Sequence, residues 1–105
     1  DYDLAIANVF HAIKAGMRCV HTTVNGLGER AGNAPLSSVI ATIKDHLKMK
    51  TNVVESQLNK VSRLVESFSG IRIPTNKPLI GEFVLHNAVV FMQMEIVKTI
   101  FTLMI

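Results

Sequence analysis

Apolar residues recur at the spacing of one helix face in three segments of the chain. We therefore predict helices over residues 3–16, 34–47 and 54–69. The apolar face of the first helix is Ile6, Val9, Phe10, Ile13 and Met17. The face of the second, thirty positions later, is Leu36, Val39, Ile40, Ile43 and Leu47. The face of the third is Val54, Leu58, Val61, Leu64, Val65 and Phe68.

A short segment rich in β-branched residues, 18–24, separates the first two predicted helices and ends at Asn25-Gly26. This pattern is typical of a strand that ends in a turn. Two helices with the same pattern around one strand indicate consecutive turns of an α/β repeat with a parallel sheet. One strand cannot form a sheet, because neighbouring strands must supply its hydrogen bonds. Residues 1–47 are therefore predicted to be a slice of a larger α/β fold.

Four residues mark where the predicted helices begin and end. Gly16 and Gly70 stand where the first and third helices are expected to stop. Asn33 is expected to cap the second helix, and Pro35 is tolerated in its first turn. Residues 71–81 contain prolines and are predicted to be an extended connector.

The last segment, residues 85–105, is mostly apolar and long enough for a membrane span. Glu95 and Lys98 lie near its middle, and each would cost roughly 2.5–3.5 kcal/mol on an insertion scale. The helical spacing of its apolar residues is also poor. We therefore expect no membrane span there.

Composition narrows the class of protein further. The 105 residues fit one domain, and 49% hydrophobic residues exclude a disordered chain. The net charge of +3 comes from scattered basic residues, and with one Tyr and no Trp we expect no nucleic-acid partner. The single cysteine, Cys19, excludes a disulfide framework and a four-cysteine zinc site. No signal peptide is evident, so a cytoplasmic location is expected. The sequence begins with Asp1 rather than Met, which is typical of a piece of a longer chain.

The candidate chemistry lies in the glycine-rich loop, residues 25–33, which follows the predicted strand and precedes a helix N-terminus. Such a position suits an anion, and in α/β barrels it is where catalytic groups lie. The glycine spacing, G-x-G-x-x-x-G, is one residue too long for a dinucleotide-binding fingerprint, and no Gly-Lys-Ser/Thr of a Walker loop follows. A tight turn in which the glycines only meet backbone demands is the alternative.

The complete loop, N-G-L-G-E-R-A-G-N, matches at every position the pattern N-G-[LI]-G-E-R-A-G-N of the 2-isopropylmalate synthase family. That family includes homocitrate and citramalate synthases. Residues 2–8, 62–65, 68–71 and 76–82 also resemble it, so the resemblance covers residues 1–84. Tyr2-Asp3 resembles the residues at these positions in one branch of the family, which contains both isopropylmalate and citramalate synthases.

The resemblance implies the fold class and the domain organisation. The chain is expected to be α/β, a C-terminal fragment of a (β/α)8 TIM barrel with helix, strand and helix, and mostly helical when isolated. Residues 1–47 would be the last part of the barrel, and residues 48–84 a linker helix and connector. Beyond codon 84, a shifted reading of allowed codons gives the family-like string F-T-Q-C-S-G-V-H-A-D-G-D. Residues 85–105 are therefore predicted to be an out-of-frame, non-native tail.

The resemblance also implies roles for the loop. Glu29 and Arg30 would be catalytic, with Glu29 ordering metal-bound water or substrate and Arg30 bracing the loop. The substrate loop would include Asn25, Gly26, Gly28 and Gly32. Asn33 would bind a divalent metal ion: Mg or Mn, with Zn as the alternative. Two further family ligands, both histidines, would lie upstream of Asp1, and the chain's own histidines are not expected to replace them. Those histidines are His11, His21, His46 and His86.

The activity that the resemblance implies is an acyl transfer from acetyl-CoA to 2-oxoisovalerate, in leucine biosynthesis. The complete enzyme would be a homodimer, and the isolated chain would be inactive. An (R)-citramalate synthase that uses pyruvate is left open, because the residues that select the keto acid lie on strands outside this chain. A small non-catalytic helical module that binds a partner through residues 85–105 is the alternative from another class.

Overall fold

The computed structural model of the chain describes residues 2–81, and the elements in this range are helical. The α-helices are α1 (Ala5–Lys14), α2 (Leu36–Asp45) and α3 (Leu58–Ser69). Short 3-10 turns, Val24–Gly26 and Glu55–Gln57, lie between them. The chain divides into two compact units, residues 1–72 and 73–105, and all three α-helices lie in the first. The three predicted helices are confirmed in order, and each is shorter than predicted.

Two glycines end helices as predicted. Gly16 follows α1 with φ +103°, and its N–H donates to the carbonyl of Ile13 at 3.0 Å. Gly70 closes α3 in the left-handed region, with φ +71°, and its N–H donates to the carbonyl of Glu66 at 3.1 Å. Glycine adopts these positive φ values without the steric cost that a Cβ would impose.

The start of α2 differs from the prediction. Pro35, in extended conformation with ψ 131°, is the N-cap residue, and no side chain caps the helix. The N–H of Leu36 donates instead to the carbonyl of Thr23 at 2.9 Å. The Asn33 side chain donates to the carbonyl of Leu27. The prediction that Asn33 caps α2 is therefore wrong, because its side chain is committed to the loop that precedes the helix.

The predicted strand is reduced to one residue pair. Thr23 forms an isolated parallel bridge with Pro35, in which the Thr23 N–H donates to Ala34 and the Thr23 carbonyl accepts from Leu36. Residues 18–22 have no regular secondary structure. A ladder needs a neighbouring strand to supply hydrogen bonds, and none is present within residues 2–81. The strand over 18–24 is thus not confirmed.

The apolar face predicted for α2 is partly confirmed. Val39 and Ile40 are buried, with 2% and 5% of their surface exposed. Helix α1 contacts α2, and its own apolar residues Ile6 and Ile13 are half-buried. Met17, predicted on the same face, is exposed.

The apolar face predicted for α3 is only partly confirmed, since Leu58, Val61 and Val65 are half-buried but Val54 is exposed. Phe68 is 82% exposed and Leu64 is 51% exposed, whereas Ser62 is only 3% exposed. The helix also begins at Leu58 rather than Val54, after the 3-10 turn Glu55–Gln57. Helix α3 contacts the 3-10 turn Val24–Gly26, and Ser62 is the buried residue of this helix.

The described part of the second unit is residues 73–81, which contain no helix or strand, as predicted for a connector. A turn closes at its end, where the Gly81 N–H donates to the carbonyl of Lys77 at 2.8 Å. Helices within residues 2–81 are too short or too polar to cross a bilayer. The predictions for the tail, residues 85–105, lie outside the described residues.

Candidate functional site

The glycine-rich loop closes on itself through backbone hydrogen bonds. The Asn33 N–H donates to the carbonyl of Gly26 at 2.7 Å, and the Gly32 N–H donates to the carbonyl of Glu29 at 3.0 Å. The bridge between Thr23 and Pro35 joins the two ends of the loop just outside these bonds. The loop is therefore a closed structure that lies directly before α2.

At two positions of the loop, neighbouring atoms approach the backbone so closely that only glycine fits. A Cβ at Gly28, where φ is +158°, would overlap the side-chain amide of Asn33. A Cβ at Gly32, where φ is +126°, would overlap the carbonyl oxygen of Gly26. By contrast, a Cβ at Gly16 would meet no atom within 4 Å. The glycines thus meet strict backbone demands, as expected if the loop is a tight turn. These demands also determine how Asn33 is held.

Asn33 is oriented by its own loop. Its Nδ2 donates to the carbonyl of Leu27 at 3.2 Å, so its Oδ1 is directed away from that carbonyl. The residue is exposed, and within residues 2–81 its Oδ1 accepts no hydrogen bond. An amide oxygen held in this way can accept a hydrogen bond or bind a hard cation.

Glu29 and Arg30 lie at the exposed tip of the loop. Arg30 has φ +57°, an uncommon left-handed conformation for a residue with a long side chain. Within residues 2–81 no hydrogen bond or ion pair of either side chain is present. A carboxylate and a guanidinium are thus presented side by side to solvent, and the roles predicted for them stay predictions.

Asn25 connects the loop to α3. Its Nδ2 donates to the carbonyl of Ser62 at 2.9 Å, across 37 positions in sequence. The opposite amide orientation would place Oδ1 against that carbonyl, which is electrostatically unfavourable. Asn25 Oδ1 is buried and has no partner among residues 2–81. Sequence analysis placed Asn25 in the substrate loop and missed Ser62, because a serine within an amphipathic helix gives no signal.

A cleft of about 560 Å³ lies between the C-terminal parts of α1 and α2, within the first unit. Apolar side chains, including Ile13, Val20 and Ile43, line it together with Arg18 and Lys50. None of the predicted site residues, 25–33, lines this cleft. The candidate site is therefore the exposed loop and not this cleft.

The residues present fit only a part of a metal site. Within residues 2–81 there is no cluster of three or more His, Cys, Asp or Glu side chains. His11 lies on α1 with its ring edge-on to Phe10, and His46 is the C-cap of α2. Asn33 Oδ1 is a single oxygen ligand, and one ligand does not hold a metal.

Comparison with known proteins identifies the family. A family model described as HMGL-like matches residues 1–65, which is more than half of the chain. The chain belongs to the HMGL-like family. This family implies a TIM-barrel fold, whereas residues 2–81 by themselves form a small helical fragment. The resemblance inferred from the loop motif is confirmed.

Curated HMGL-like relatives include three named synthases. The chain is 42% identical over 82 residues to the 2-isopropylmalate synthase of Methanocaldococcus jannaschii. It is 45% identical over 89 residues to the homocitrate synthase of Saccharolobus solfataricus. It is 44% identical over 82 residues to a protein of Methanopyrus kandleri provisionally named (R)-citramalate synthase. These matches cover 78–84% of this chain but only 16–19% of the relatives.

Proposed function

We propose that this chain is part of a 2-isopropylmalate synthase-like acyltransferase, which condenses acetyl-CoA with 2-oxoisovalerate in leucine biosynthesis. The observation that supports it is the closed glycine-rich loop, which presents Glu29, Arg30 and Asn33 together before α2. Relatives named for this activity share the matched segment. A homodimer and a cytoplasmic location stay predictions.

The side chains of the loop have distinct chemical roles in this proposal. Asn33 Oδ1, held by the Leu27 carbonyl through Nδ2, is one oxygen ligand of a divalent metal. Amide oxygens suit Mg²⁺ or Mn²⁺ better than Zn²⁺, which prefers nitrogen and sulfur. When bound, the ion supplies Lewis-acid polarisation of the keto oxygen. Its other ligands come from outside residues 2–81, because these residues hold no group of three or more His, Cys, Asp or Glu side chains.

Glu29 and Arg30 act on the substrate side of the loop. The Glu29 carboxylate accepts hydrogen bonds from water at the site and through that water orders the substrate, while the Arg30 guanidinium braces the loop beside it. Their exposed position at the loop tip leaves both side chains accessible to a ligand. The isolated chain, which spans only 16% of the length of the Methanocaldococcus jannaschii relative, is inactive in this proposal.

A chimeric enzyme tests the proposal. The 82-residue matched segment of the Methanocaldococcus jannaschii 2-isopropylmalate synthase is replaced by that of this chain. Release of the CoA thiol is then measured with acetyl-CoA and either 2-oxoisovalerate or pyruvate. We expect turnover with 2-oxoisovalerate from the chimera and none from the 105-residue chain.

The parental synthase is the control for folding and assay conditions. A folded chimera that releases thiol with neither keto acid would refute the proposal. The citramalate synthase alternative, the activity for which the Methanopyrus kandleri relative is provisionally named, stays open, because the residues that select the keto acid lie on strands outside this chain. The third alternative, a helical binding module, depends on residues 85–105, which lie outside the described part of the chain.

A further inference from the structure

We propose that helix α3 fixes the position of Asn33, and that Asn25 is the positioning residue that links the two. The structural link between α3 and Asn33 is independent of the proposed function. Its consequence for catalysis rests on the proposed function, which makes the glycine-rich loop part of an active site. The inference makes α3 a supporting element of the site rather than a linker beyond it.

The link is short and continuous. Asn25 Nδ2 donates to the Ser62 carbonyl on α3 at 2.9 Å. The next residue, Gly26, accepts the Asn33 N–H at 2.7 Å. A single peptide unit therefore separates the contact with α3 from the hydrogen bond that places Asn33. A shift of α3 relative to this turn changes both hydrogen bonds together.

The local backbone supports this role for Asn25. Its φ of +59° and ψ of 12° lie in the left-handed region, which asparagine tolerates better than most residues. The conformation directs the side chain to α3 while the following carbonyl points to Asn33. On α3, Ser62 is small and 3% exposed, so the turn approaches the helix closely. The Ser62 carbonyl has two lone pairs and can accept Asn25 in addition to its helical bond.

The first test measures amide hydrogen exchange by NMR in the whole 105-residue chain. Asn25→Gly removes the side chain but keeps a residue that favours positive φ. We expect the Asn33 N–H to exchange about three- to tenfold faster, the range that corresponds to one lost hydrogen bond. The Val39 N–H, at the start of α2, is expected to change by less than about twofold.

Lys48→Gly is the matched control, because Lys48 also has positive φ, +54°, but is exposed and distant in sequence from the loop. It is expected to leave the exchange rate of the Asn33 N–H unchanged. If Asn25→Gly also leaves that rate unchanged, the inference is wrong. Equal acceleration at Asn33 and Val39 would likewise overturn it, because it would show a global loss of stability.

A second pair of variants tests the contact from the helix. Ser62→Leu places a large side chain against the turn, whereas Ser67→Leu places the same side chain on the exposed surface of α3. We expect faster exchange at Asn33 only in Ser62→Leu. If the two variants give the same rate at Asn33, α3 does not position the loop.

The chimeric synthase shows whether the link serves catalysis. Asn25→Gly is expected to lower kcat about tenfold, in line with the loss of one positioning hydrogen bond, with KM for acetyl-CoA changed less. Parental kcat in this variant would overturn the positioning role. If the unsubstituted chimera has no turnover, the proposed function fails, and the exchange measurements alone decide whether α3 fixes Asn33.

Discussion

The α-carbon of Gly32 lies so close to the carbonyl oxygen of Gly26 that a Cβ at Gly32 would overlap this oxygen. The same Gly26 carbonyl accepts the N–H of Asn33 at 2.7 Å. Close approach of the two glycines and placement of Asn33 are therefore one structural requirement. The loop can keep this shape only if residue 32 has no side chain.

Substitution of Gly32 by alanine should destabilise the chain more than the same substitution at Gly16. Both glycines have φ above +100°, so alanine pays about 1–3 kcal/mol of backbone strain at either position. Only Gly32→Ala adds a steric overlap, which we expect to cost a further ~1–3 kcal/mol. Urea denaturation followed by circular dichroism measures both. An equal decrease in the free energy of unfolding for the two variants would show that the loop relieves the overlap without loss of stability.

Ser37→Ala should stabilise the chain. Ser37 is 5% exposed, and its hydroxyl is buried without a partner among residues 2–81. Removal of an unsatisfied buried hydroxyl recovers about 1–3 kcal/mol of desolvation cost. Ser38→Ala, on the same helix, is the control for the higher helix propensity of alanine. The free energy of unfolding should rise by about 1 kcal/mol more for Ser37→Ala, and an equal or smaller rise contradicts the prediction.

Lys44 should titrate above its ordinary pKa because of Glu55. Its Nζ donates to the Glu55 carboxylate at 2.7 Å, and this hydrogen bond and charge raise the pKa of Lys44, with Asp45 contributing least. Glu55→Gln should lower that pKa, and Asp45→Asn should lower it less. Titration by NMR of the Lys44 side chain measures the change.

The raised pKa of Lys44 also gives the sign of a pH effect on stability. The stabilising contribution is complete below the unfolded pKa of about 10.5 and disappears as pH rises through the higher folded value. Both side chains are largely exposed, so about 1 M salt, with a screening length of about 3 Å, should weaken the effect. A pKa of Lys44 that is the same with and without Glu55 would contradict this account.

Glu29→Gln in the chimeric synthase should lower kcat about 10²-fold, because the carboxylate that orients the substrate is lost. Glu55→Gln, also on an exposed carboxylate but outside the loop, is the control and should leave kcat unchanged. The assay is again the release of the CoA thiol. Unchanged turnover in Glu29→Gln would remove Glu29 from the site.

Helical periodicity in the sequence determined that α1, α2 and α3 form, and two glycines marked where α1 and α3 end. The unbroken motif over residues 25–33 identified the family, which the match over residues 1–65 confirms. These features are local, because a helix face and a glycine stop depend on residues within a few positions of one another.

Only the tertiary structure decided what Asn33, Ser62 and residues 18–22 do. Asn33 turns to Leu27 instead of capping α2, and Ser62 is buried while Phe68 is exposed. The segment 18–22 pairs with no strand among the described residues. The Asn33 side chain depends on a carbonyl six positions away that only the closed loop brings within reach. The other two outcomes depend on partners distant in sequence or absent from residues 2–81, since side-chain burial and strand pairing are determined by what lies across the contact.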